Sequence, residues 1–287
     1  NTHSLTPAIK VKLNKEGDKL VTSNKYNVTD RQVSSETITH TSPYVTAGCT
    51  NNWDFRTVSS VGVTDDIGGI DVTYETGYNT SDAGSSTVEN GFYCDYYGDT
   101  GYNAQVAIAM KIQNGFTYGG SNWSLEFYIN FLEFPEWGNL FRWHPSGYNY
   151  IEIARAGNHA WSIRLNGNSG TYITAAFPNG NSGTTNGKWY YNSNGQFLHL
   201  VFTISGGSVV IYHDGAQVGS GNLSNPANVH TSSDPDMHPL SSRLDEGSGS
   251  YPRAIEAYWR YFRYYHGKTL SASEVTDLYN DRDDTST

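Results

Sequence analysis

The sequence has few cysteines, few charged residues and no long apolar run. Its 287 residues include only two cysteines, Cys49 and Cys94, too few for an all-cysteine zinc site and not in a Cys-x-x-Cys motif. Charged residues make up 16% of the chain, and the net charge is −10 with no clustered lysine or arginine. Because phosphate binding needs clustered basic residues, we do not expect a nucleic-acid partner. No apolar run reaches the length of a membrane span, so we do not expect membrane insertion.

The sequence is rich in tyrosine, glycine and small polar residues. It contains 22 tyrosines and 30 glycines, and aromatic residues account for 14% of the chain. This composition favours strands and turns over helices. Strand-like runs, among them 123–131, 197–204 and 257–266, recur between segments rich in glycine and asparagine. This regular alternation predicts an all-β protein built as a two-sheet antiparallel β-sandwich.

A hairpin and a single helix are predicted in the last third of the chain. Two β-rich runs within 208–219 flank Asp214-Gly215, a dipeptide that tolerates the positive φ of a two-residue turn. Farther on, Ser271 occupies an N-cap position and Glu274, three residues later, completes the pattern of a capping box. We therefore predict one short C-terminal helix over 271–281.

These elements follow one another in an order that resembles a known family. The order is strand, Asp-Gly turn, strand, long aromatic strand and capped helix, and the run Gly119-Gly-Ser-Asn-Trp-Ser-Leu-Glu-Phe127 is similar to the family's strand of small residues followed by Ser-Leu-Glu-Phe. Residues 52–282 resemble the laminin-G-like jelly roll of the concanavalin A-like lectin/glucanase superfamily. The resemblance implies a jelly-roll sandwich and a non-catalytic role in glycan adhesion, structural assembly or both.

The N-terminal residues 1–48 differ from the sandwich predicted over 49–287. Ile9, Val11 and Leu13 alternate with polar neighbours, which predicts a small hairpin in an N-terminal arm. A lone hairpin is marginally stable in water, so we expect this arm to dock on a neighbouring subunit or a partner protein. A mobile linker is the alternative.

Catalysis is not predicted. The hydrolases of the superfamily that the chain resembles carry a Glu-x-Asp-x-Glu strand, whose period-two spacing places three carboxylates on one face. This sequence has no such strand, and it also lacks the Arg-x-Glu-x-Arg and Gln-Ile-His strands of the alginate-lyase-like members. Glu133 and Glu136 are three residues apart, so on a strand they would face different ways. The alternative is a carbohydrate-active enzyme, a glycoside hydrolase or polysaccharide lyase, with an atypical site.

Aromatic residues beside amides suggest where a glycan could bind. Aromatic faces stack on the C–H groups of sugar rings, and neighbouring amides bind sugar hydroxyls. The glycan-binding candidates are Trp137, Trp143, Tyr148, Tyr150, Trp189, Tyr190, Tyr191 and Asn192. The alternative is that these rings lie in the core or in subunit contacts. We expect glycans or neighbouring protein subunits as partners, and an extracellular location or one on a particle surface, such as a virion coat or a filament.

Two kinds of covalent modification are expected, a disulfide and N-glycosylation. An even number of cysteines in a composition typical of extracellular proteins favours a Cys49–Cys94 disulfide, with two unpaired buried thiols as the alternative. Asn-x-Ser/Thr sequons mark four candidate glycosylation sites, Asn27, Asn79, Asn122 and Asn222.

No cofactor and no metal site follow from the motifs, because the nine histidines lack the spacing of metal ligands. The resemblance leaves one ion open, since many laminin-G-like domains hold a structural calcium at the rim of the sandwich. Asp65 with Asp66, or Asp95 with Asp99, would supply oxygen ligands for it.

Overall fold

The protein is built almost entirely from antiparallel strands. Its structure, a computed structural model, describes residues 24–27, 32–35, 43–57, 62–76, 92–94, 96–97, 105–106, 108–113, 115–135, 138–143, 151–156, 160–165, 171–175, 181–185, 188–223, 227–231 and 255–282. The predicted all-β sandwich with a short C-terminal helix is confirmed. Neither α-helix in these ranges is long and apolar enough to cross a membrane.

The elements are as follows. The strands are β1 Asn24–Asn27, β2 Gln32–Ser35, β3 Asn51–Asp54, β4 Gly62–Thr64, β5 Asp71–Thr76, β6 Phe92–Cys94, β7 Tyr96–Tyr97, β8 Gln105–Val106, β9 Ile108–Ile112, β10 Thr117–Gly120, β11 Asn122–Pro135, β12 Asn139–Trp143, β13 Ile151–Ala156, β14 Ala160–Leu165, β15 Thr171–Thr174, β16 Asn181–Thr185, β17 Lys188–Asn192, β18 Leu198–Ser205, β19 Ser208–His213, β20 Ala216–Asn222, β21 Ala227–Thr231 and β22 Glu256–His266. The helices are α1 Pro43–Thr46, a 3₁₀ turn Phe55–Thr57 and α2 Ala272–Asn280.

The large sheet joins nine of these strands and is centred on β11. Strand β11 pairs antiparallel with β18 on one side and with β22 on the other. Alternate residues of β11, from Trp123 through Phe127 to Phe131, are buried in the main core. Because successive side chains of a strand point to opposite faces, Ser124, Glu126 and the residues in step with them lie on the outer face.

The small sheet consists of β12, β13, β14 and β15 in chain order and packs against the large one. Trp161 of β14 meets Phe202 of β18 edge to face, with ring centroids 5.0 Å apart. The two sheets converge where β15 passes β20. A Cβ on Gly219 of β20 would lie 2.9 Å from Ile173 Cγ2, so this close approach requires glycine.

The C-terminal helix covers part of the outer face of the large sheet. Its N-terminus is closed by the predicted capping box: Ser271 N donates to Glu274 Oε2 over 2.7 Å, and Glu274 N donates back to Ser271 Oγ. Val275 and Leu278 of α2 are buried against Tyr265 of β22. The predicted Asp214-Gly215 turn also forms, with φ of 49° and 77° at the two residues.

Part of the predicted N-terminal arm packs on the same outer face. Tyr44 and Ala47, in and beside α1, join the apolar cluster formed by α2 and the sheet. Strands β1 and β2 form a small antiparallel hairpin. The hairpin predicted around Ile9 to Leu13 lies outside the residues that the structure describes, so the division of the chain at residue 48 stays a prediction.

The predicted Cys49–Cys94 disulfide is wrong. Cys49 is a buried free thiol whose Sγ donates to Asn51 O over 3.0 Å. The next residue, Thr50, donates its backbone N–H to Tyr264 O, whereas the backbone of Cys94 pairs with Ala257. Ala257 and Tyr264 are seven residues apart on β22, or about 23 Å at about 3.3 Å per residue. A disulfide requires Cα atoms within about 7 Å of each other.

Candidate functional site

Two surfaces of the sandwich carry buried polar side chains, and they differ in how well those side chains are hydrogen-bonded. The first surface is the outer face of the large sheet, where Glu126 of β11 and Arg263 of β22 are paired directly across the strands. Glu126 Oε1 accepts from Arg263 Nη1 at 3.0 Å and lies 2.9 Å from His199 Nε2, and Oε2 accepts from the Tyr265 hydroxyl. We call these four residues the Glu126 cluster.

Aromatic rings and an amide enclose the Arg263 guanidinium. Its central carbon lies 4.0 Å from the Tyr44 ring centroid and 3.8 Å from that of Tyr261, and its Nε donates to Asn52 Oδ1. Stacking on both faces and hydrogen bonds at the edge suit guanidinium, which is planar and weakly hydrated. In the described structure the Tyr44 and Tyr261 rings and the Asn52 amide thus enclose Arg263.

The Glu126 carboxylate is ionised and closed to solvent. Burial by itself raises the pKa of Glu126, but the Arg263 charge and the hydrogen bonds from His199 and Tyr265 outweigh it and lower that pKa to about 2. Glu126 and His199 are both 0% exposed. A substrate therefore cannot reach this carboxylate–histidine pair, and the cluster fastens the large sheet to α1 and α2.

The second surface is the outer face of the small sheet. Residues paired directly across antiparallel strands share a face. Asn139 of β12 pairs with Ala154 of β13, which pairs with Ser162 of β14, so these three form one row. The next row contains Glu152 and Arg164. The alternating residues Ile153 and Ile163 face the core instead.

Asn139 and Ser162 are buried but lack hydrogen bonds. Asn139 is 1% exposed and Ser162 is 0% exposed. Neither the amide oxygen and nitrogen of Asn139 nor the hydroxyl of Ser162 has a partner within the part of the chain that the structure describes. Each such group costs about 1–3 kcal/mol relative to the same group in water. Ala154 lies between them and is 1% exposed, so the whole row is buried.

A charged pair borders this row. Glu152 Oε1 lies 3.6 Å from Arg164 Nη1, and the side chains are 3% and 26% exposed respectively. Glu152 is also the backbone partner of Arg142 in the ladder. The carboxylate is thus the buried member of the pair, and the guanidinium reaches toward solvent. Together the two rows place a carboxylate, a guanidinium, an amide and a hydroxyl on one face.

Two of the predicted glycan-binding residues are used elsewhere in the fold. Tyr191 is 3% exposed and packs edge to face on Phe131 in the core, with centroids 6.0 Å apart. Asn192 donates from Nδ2 to Leu132 O and accepts at Oδ1 from Asn194 N, so both ends of its amide are occupied. The prediction for Tyr191 is wrong, because a platform needs an exposed ring, whereas Asn192 is half-buried and its role stays a prediction.

The other aromatic candidates stay predictions. The backbone of Trp143 pairs with Ile151 in the small sheet, and Trp189 and Tyr190 lie in β17 beside β16. Trp137, Tyr148 and Tyr150 lie outside the residues that the structure describes. Asn139 and Ser162 were missed, because a polar residue alternating with apolar ones in a strand normally indicates contact with water.

Asp65 does not fit the calcium role proposed for it, whereas calcium binding through Asp66, Asp95 or Asp99 stays a prediction. Asp65 accepts four hydrogen bonds, from the backbone N–H of Asn52, Ile67 and Gly68 and from the amide of Asn51. Donors point at both carboxylate oxygens, where a cation would require free lone pairs. Asp65 instead closes the turn at 65–68. Asp95 and Asp99 lie outside the described ranges, within which no group of three metal-ligating side chains occurs.

Among the sequons, Asn122 and Asn222 are exposed at the end of the large sheet. The amide oxygen of each accepts a hydrogen bond, from Ser205 and from Ser208 respectively. Asn27 lies in β1, and Asn79 falls outside the described residues. Glycosylation at all four positions stays a prediction.

Comparison with known families identifies the fold. Residues 99–238 match the family model of the concanavalin A-like lectin/glucanases superfamily. The predicted resemblance is confirmed over these residues, which include the whole small sheet and strands β11 and β18 of the large one. No curated protein matches the sequence.

Several solved structures are similar to the chain at low sequence identity. Domain 4 of AbnA, an extracellular arabinanase from Geobacillus stearothermophilus solved with arabinotriose, is 16% identical with a TM-score of 0.46, over 80% of this chain and 98% of that one. The binding domain of Paraclostridial Mosquitocidal Protein 1 is 12% identical with a TM-score of 0.49, over 81% and 52% of the two chains. A botulinum neurotoxin type C structure is 13% identical with a TM-score of 0.49, over 81% and 51%. The chain thus spans about half the length of the two toxin chains.

Proposed function

We propose that the protein is a non-catalytic carbohydrate-binding module, displayed outside the cell or on a particle surface, whose site is the outer face of the small sheet. The observation that carries this proposal is the pair of buried, unpartnered side chains Asn139 and Ser162. A fold that leaves such groups without partners loses stability, unless a ligand supplies the missing hydrogen bonds.

The chemistry of these groups suits a sugar. A sugar hydroxyl both donates and accepts, so one hydroxyl can bind the Asn139 amide and a neighbouring hydroxyl the Ser162 Oγ. Asn139, Ala154 and Ser162 are each at most 1% exposed, so binding at this row requires the structure above it to open. The match to the lectin/glucanases superfamily over 99–238, which contains all four strands of this face, supports the same class of ligand.

The same face supports binding without hydrolysis. Glycosidases use two carboxyl groups about 5–9.5 Å apart, one on each side of the scissile bond. Strands β12 to β15 contain a single carboxylate, Glu152, and it is held near Arg164. The buried carboxylate of Glu126 lies on the other sheet and is closed to solvent. We therefore propose that the protein holds a glycan and does not cleave it.

The test compares glycan binding with stability in three variants. Wild-type protein is screened on a glycan array, and its strongest ligand is titrated by calorimetry against Asn139→Ala, Ser162→Ala and, as the matched control, Asn222→Ala on the exposed edge of the large sheet. We expect each of the first two substitutions to weaken binding about 5- to 150-fold, since each removes one or two hydrogen bonds to the ligand. The control should bind as the wild type does.

The stability of the same variants separates a binding role from a structural one. Because Asn139 and Ser162 have no partners in the described structure, their removal should leave the free energy of unfolding unchanged or raise it. An array without any bound glycan would refute the proposal, as would binding that both variants retain in full. Release of reducing or unsaturated sugar ends would show an enzyme instead.

A further inference from the structure

We infer that Asn122 is an N-glycosylation site that accepts its glycan only before the chain has folded. Asn122, Trp123 and Ser124 form an Asn-x-Ser sequon at the start of β11. The first residue of this sequon is exposed and the third is buried, and this difference decides when a glycan can be attached.

The asparagine of the sequon is oriented to carry a glycan in the folded protein. Asn122 is exposed, and its amide oxygen accepts hydrogen bonds from Ser205 Oγ at 3.1 Å and from Thr269 Oγ1 at 3.4 Å. Both contacts use Oδ1, whereas an N-glycan is attached to Nδ2. Among the residues that the structure describes, Nδ2 of Asn122 has no hydrogen-bond partner. A glycan on Nδ2 therefore leaves both hydrogen bonds to Oδ1 intact.

The serine of the sequon is sealed inside the protein. Ser124 is 0% exposed, and Trp123 beside it is 1% exposed. The Ser124 hydroxyl donates to Lys268 O over 3.1 Å and accepts from Leu270 N over 3.0 Å. A sequon requires a hydroxyl at its third residue, so a transferase must reach Ser124 as well as Asn122. In the folded protein it cannot reach Ser124.

The residues that cover Ser124 come late in the chain. Lys268 and Leu270 follow Ser124 by 144 and 146 residues, and Leu270 belongs to the apolar cluster that holds α2 on the sheet. At about 5–20 residues per second, synthesis from residue 124 to residue 270 takes about 7–30 s. During that time the hydroxyl of Ser124 lacks both partners. The sequon is therefore available during synthesis and becomes closed when α2 docks.

The modification is a transfer of a glycan from a lipid-linked oligosaccharide, catalysed by an oligosaccharyltransferase of the secretory membrane. A bond forms between Asn122 Nδ2 and the anomeric carbon of the oligosaccharide. The bond from that carbon to the lipid diphosphate breaks, the diphosphate leaves with the electron pair, and Nδ2 loses one proton. The product keeps its carbonyl oxygen, which still accepts from Ser205 and Thr269.

The first experiment measures whether Asn122 is modified. The protein is secreted from a eukaryotic host, and the occupancy of Asn122 is measured by peptide mass mapping before and after enzymatic removal of N-glycans. We expect the wild type to carry a glycan on Asn122 and Asn122→Gln to lose it. Ser124→Thr should keep the glycan because it keeps the hydroxyl, and Ser124→Ala should lose it. An unmodified Asn122 in the secreted wild type would overturn the inference.

The second experiment tests the order of folding and modification. Unglycosylated protein from a bacterial host is incubated with purified oligosaccharyltransferase and a lipid-linked oligosaccharide. We expect Asn122 to react at least about 100-fold more slowly in the native wild type than in Val275→Asp, which places a charge on the buried face of α2. The matched control, Ser273→Asp, changes an exposed residue of the same helix and should react as slowly as the wild type.

The outcome is decisive even if Val275→Asp does not fold, because an unfolded chain also exposes Ser124. Equal rates at Asn122 in the three proteins, whether fast or slow, would overturn the inference. Rapid modification of the native wild type would show that the transferase reaches a sequon whose serine is buried.

Discussion

Replacing Glu126 with glutamine should destabilise the fold by about 3–5 kcal/mol, the cost of leaving a buried charge without its partner. Glutamine has nearly the shape of glutamate, but it carries no charge to balance Arg263, which lies 3.0 Å away. The glutamine amide also places an N–H group against hydrogen-bond donors that bind a carboxylate oxygen in the wild type. The free energy of unfolding is measured in urea at pH 7, with tryptophan fluorescence as the signal.

The pH dependence gives a second, independent measure of the same cluster. The pKa of Glu126 is lowered from its ordinary 4.5 to about 2, so the folded state holds this proton less tightly than the unfolded state does. The stabilisation is complete above about pH 4.5 and is lost as the pH falls toward 2, in total about 3 kcal/mol at about 1.4 kcal/mol per pH unit. Wild-type protein should lose this stability between pH 4.5 and 2, and the Glu126→Gln variant should not.

The matched control is Glu274→Gln. Glu274 lies 2.7 Å from Lys268 at the surface, and a glutamine there can still accept the hydrogen bond of the capping box. Exposed pairs contribute about 0–1 kcal/mol, so this variant should be nearly as stable as the wild type. Equal losses below 1 kcal/mol for both variants, with the same pH profile as the wild type, would refute the argument that Glu126 is a buried counter-ion.

Two further predictions concern the packing of the sandwich. Burial raises the pKa of the Cys49 thiol to about 12. A thiol reagent at pH 8 should therefore leave Cys49 unmodified in the native protein and label it after unfolding. Rapid labelling of Cys49 in the native state would contradict this. Gly219→Ala would bring a methyl group to 2.9 Å from Ile173 Cγ2, and we expect it to lower the free energy of unfolding by about 1–3 kcal/mol. An unchanged melting temperature would contradict this, because it would show that the two sheets can move apart at this point without loss of stability.

The parts of the fold that were predicted correctly depend on local signals. The Asp214-Gly215 turn follows from the positive φ that its two residues tolerate, and it forms with φ of 49° and 77°. The helix predicted over 271–281 runs from Ala272 to Asn280, because a capping box fixes its start wherever the rest of the chain lies. Each signal is contained in a few adjacent residues, so it can be recognised without knowledge of the tertiary structure.

The candidate site could not be predicted in the same way, because its properties arise from tertiary contacts. Asn139 and Ser162 alternate with apolar residues, as solvent-exposed strand residues do, yet the fold buries both. Tyr191 and Asn192 belong to an aromatic and asparagine-rich run that is typical of sugar sites. In the fold, however, Tyr191 is buried in the core, and Asn192 donates a hydrogen bond to Leu132 O. The disulfide prediction failed for a related reason, since the number of cysteines carries no information about where the strands place Cys49.

Polarity alone therefore does not distinguish a structural cluster from a binding face in this protein. The difference is that the Glu126 carboxylate is paired, whereas the side chains of Asn139 and Ser162 have no hydrogen-bond partner in the described structure. Every charge of the Glu126 cluster meets a partner from another part of the chain, and such a network adds stability without leaving room for a ligand. On the outer face of the small sheet, the amide of Asn139 and the hydroxyl of Ser162 are equally buried, but no group in the described structure completes them. A ligand that donates and accepts at neighbouring positions would remove that cost on binding, which is what a sugar with adjacent hydroxyls can do.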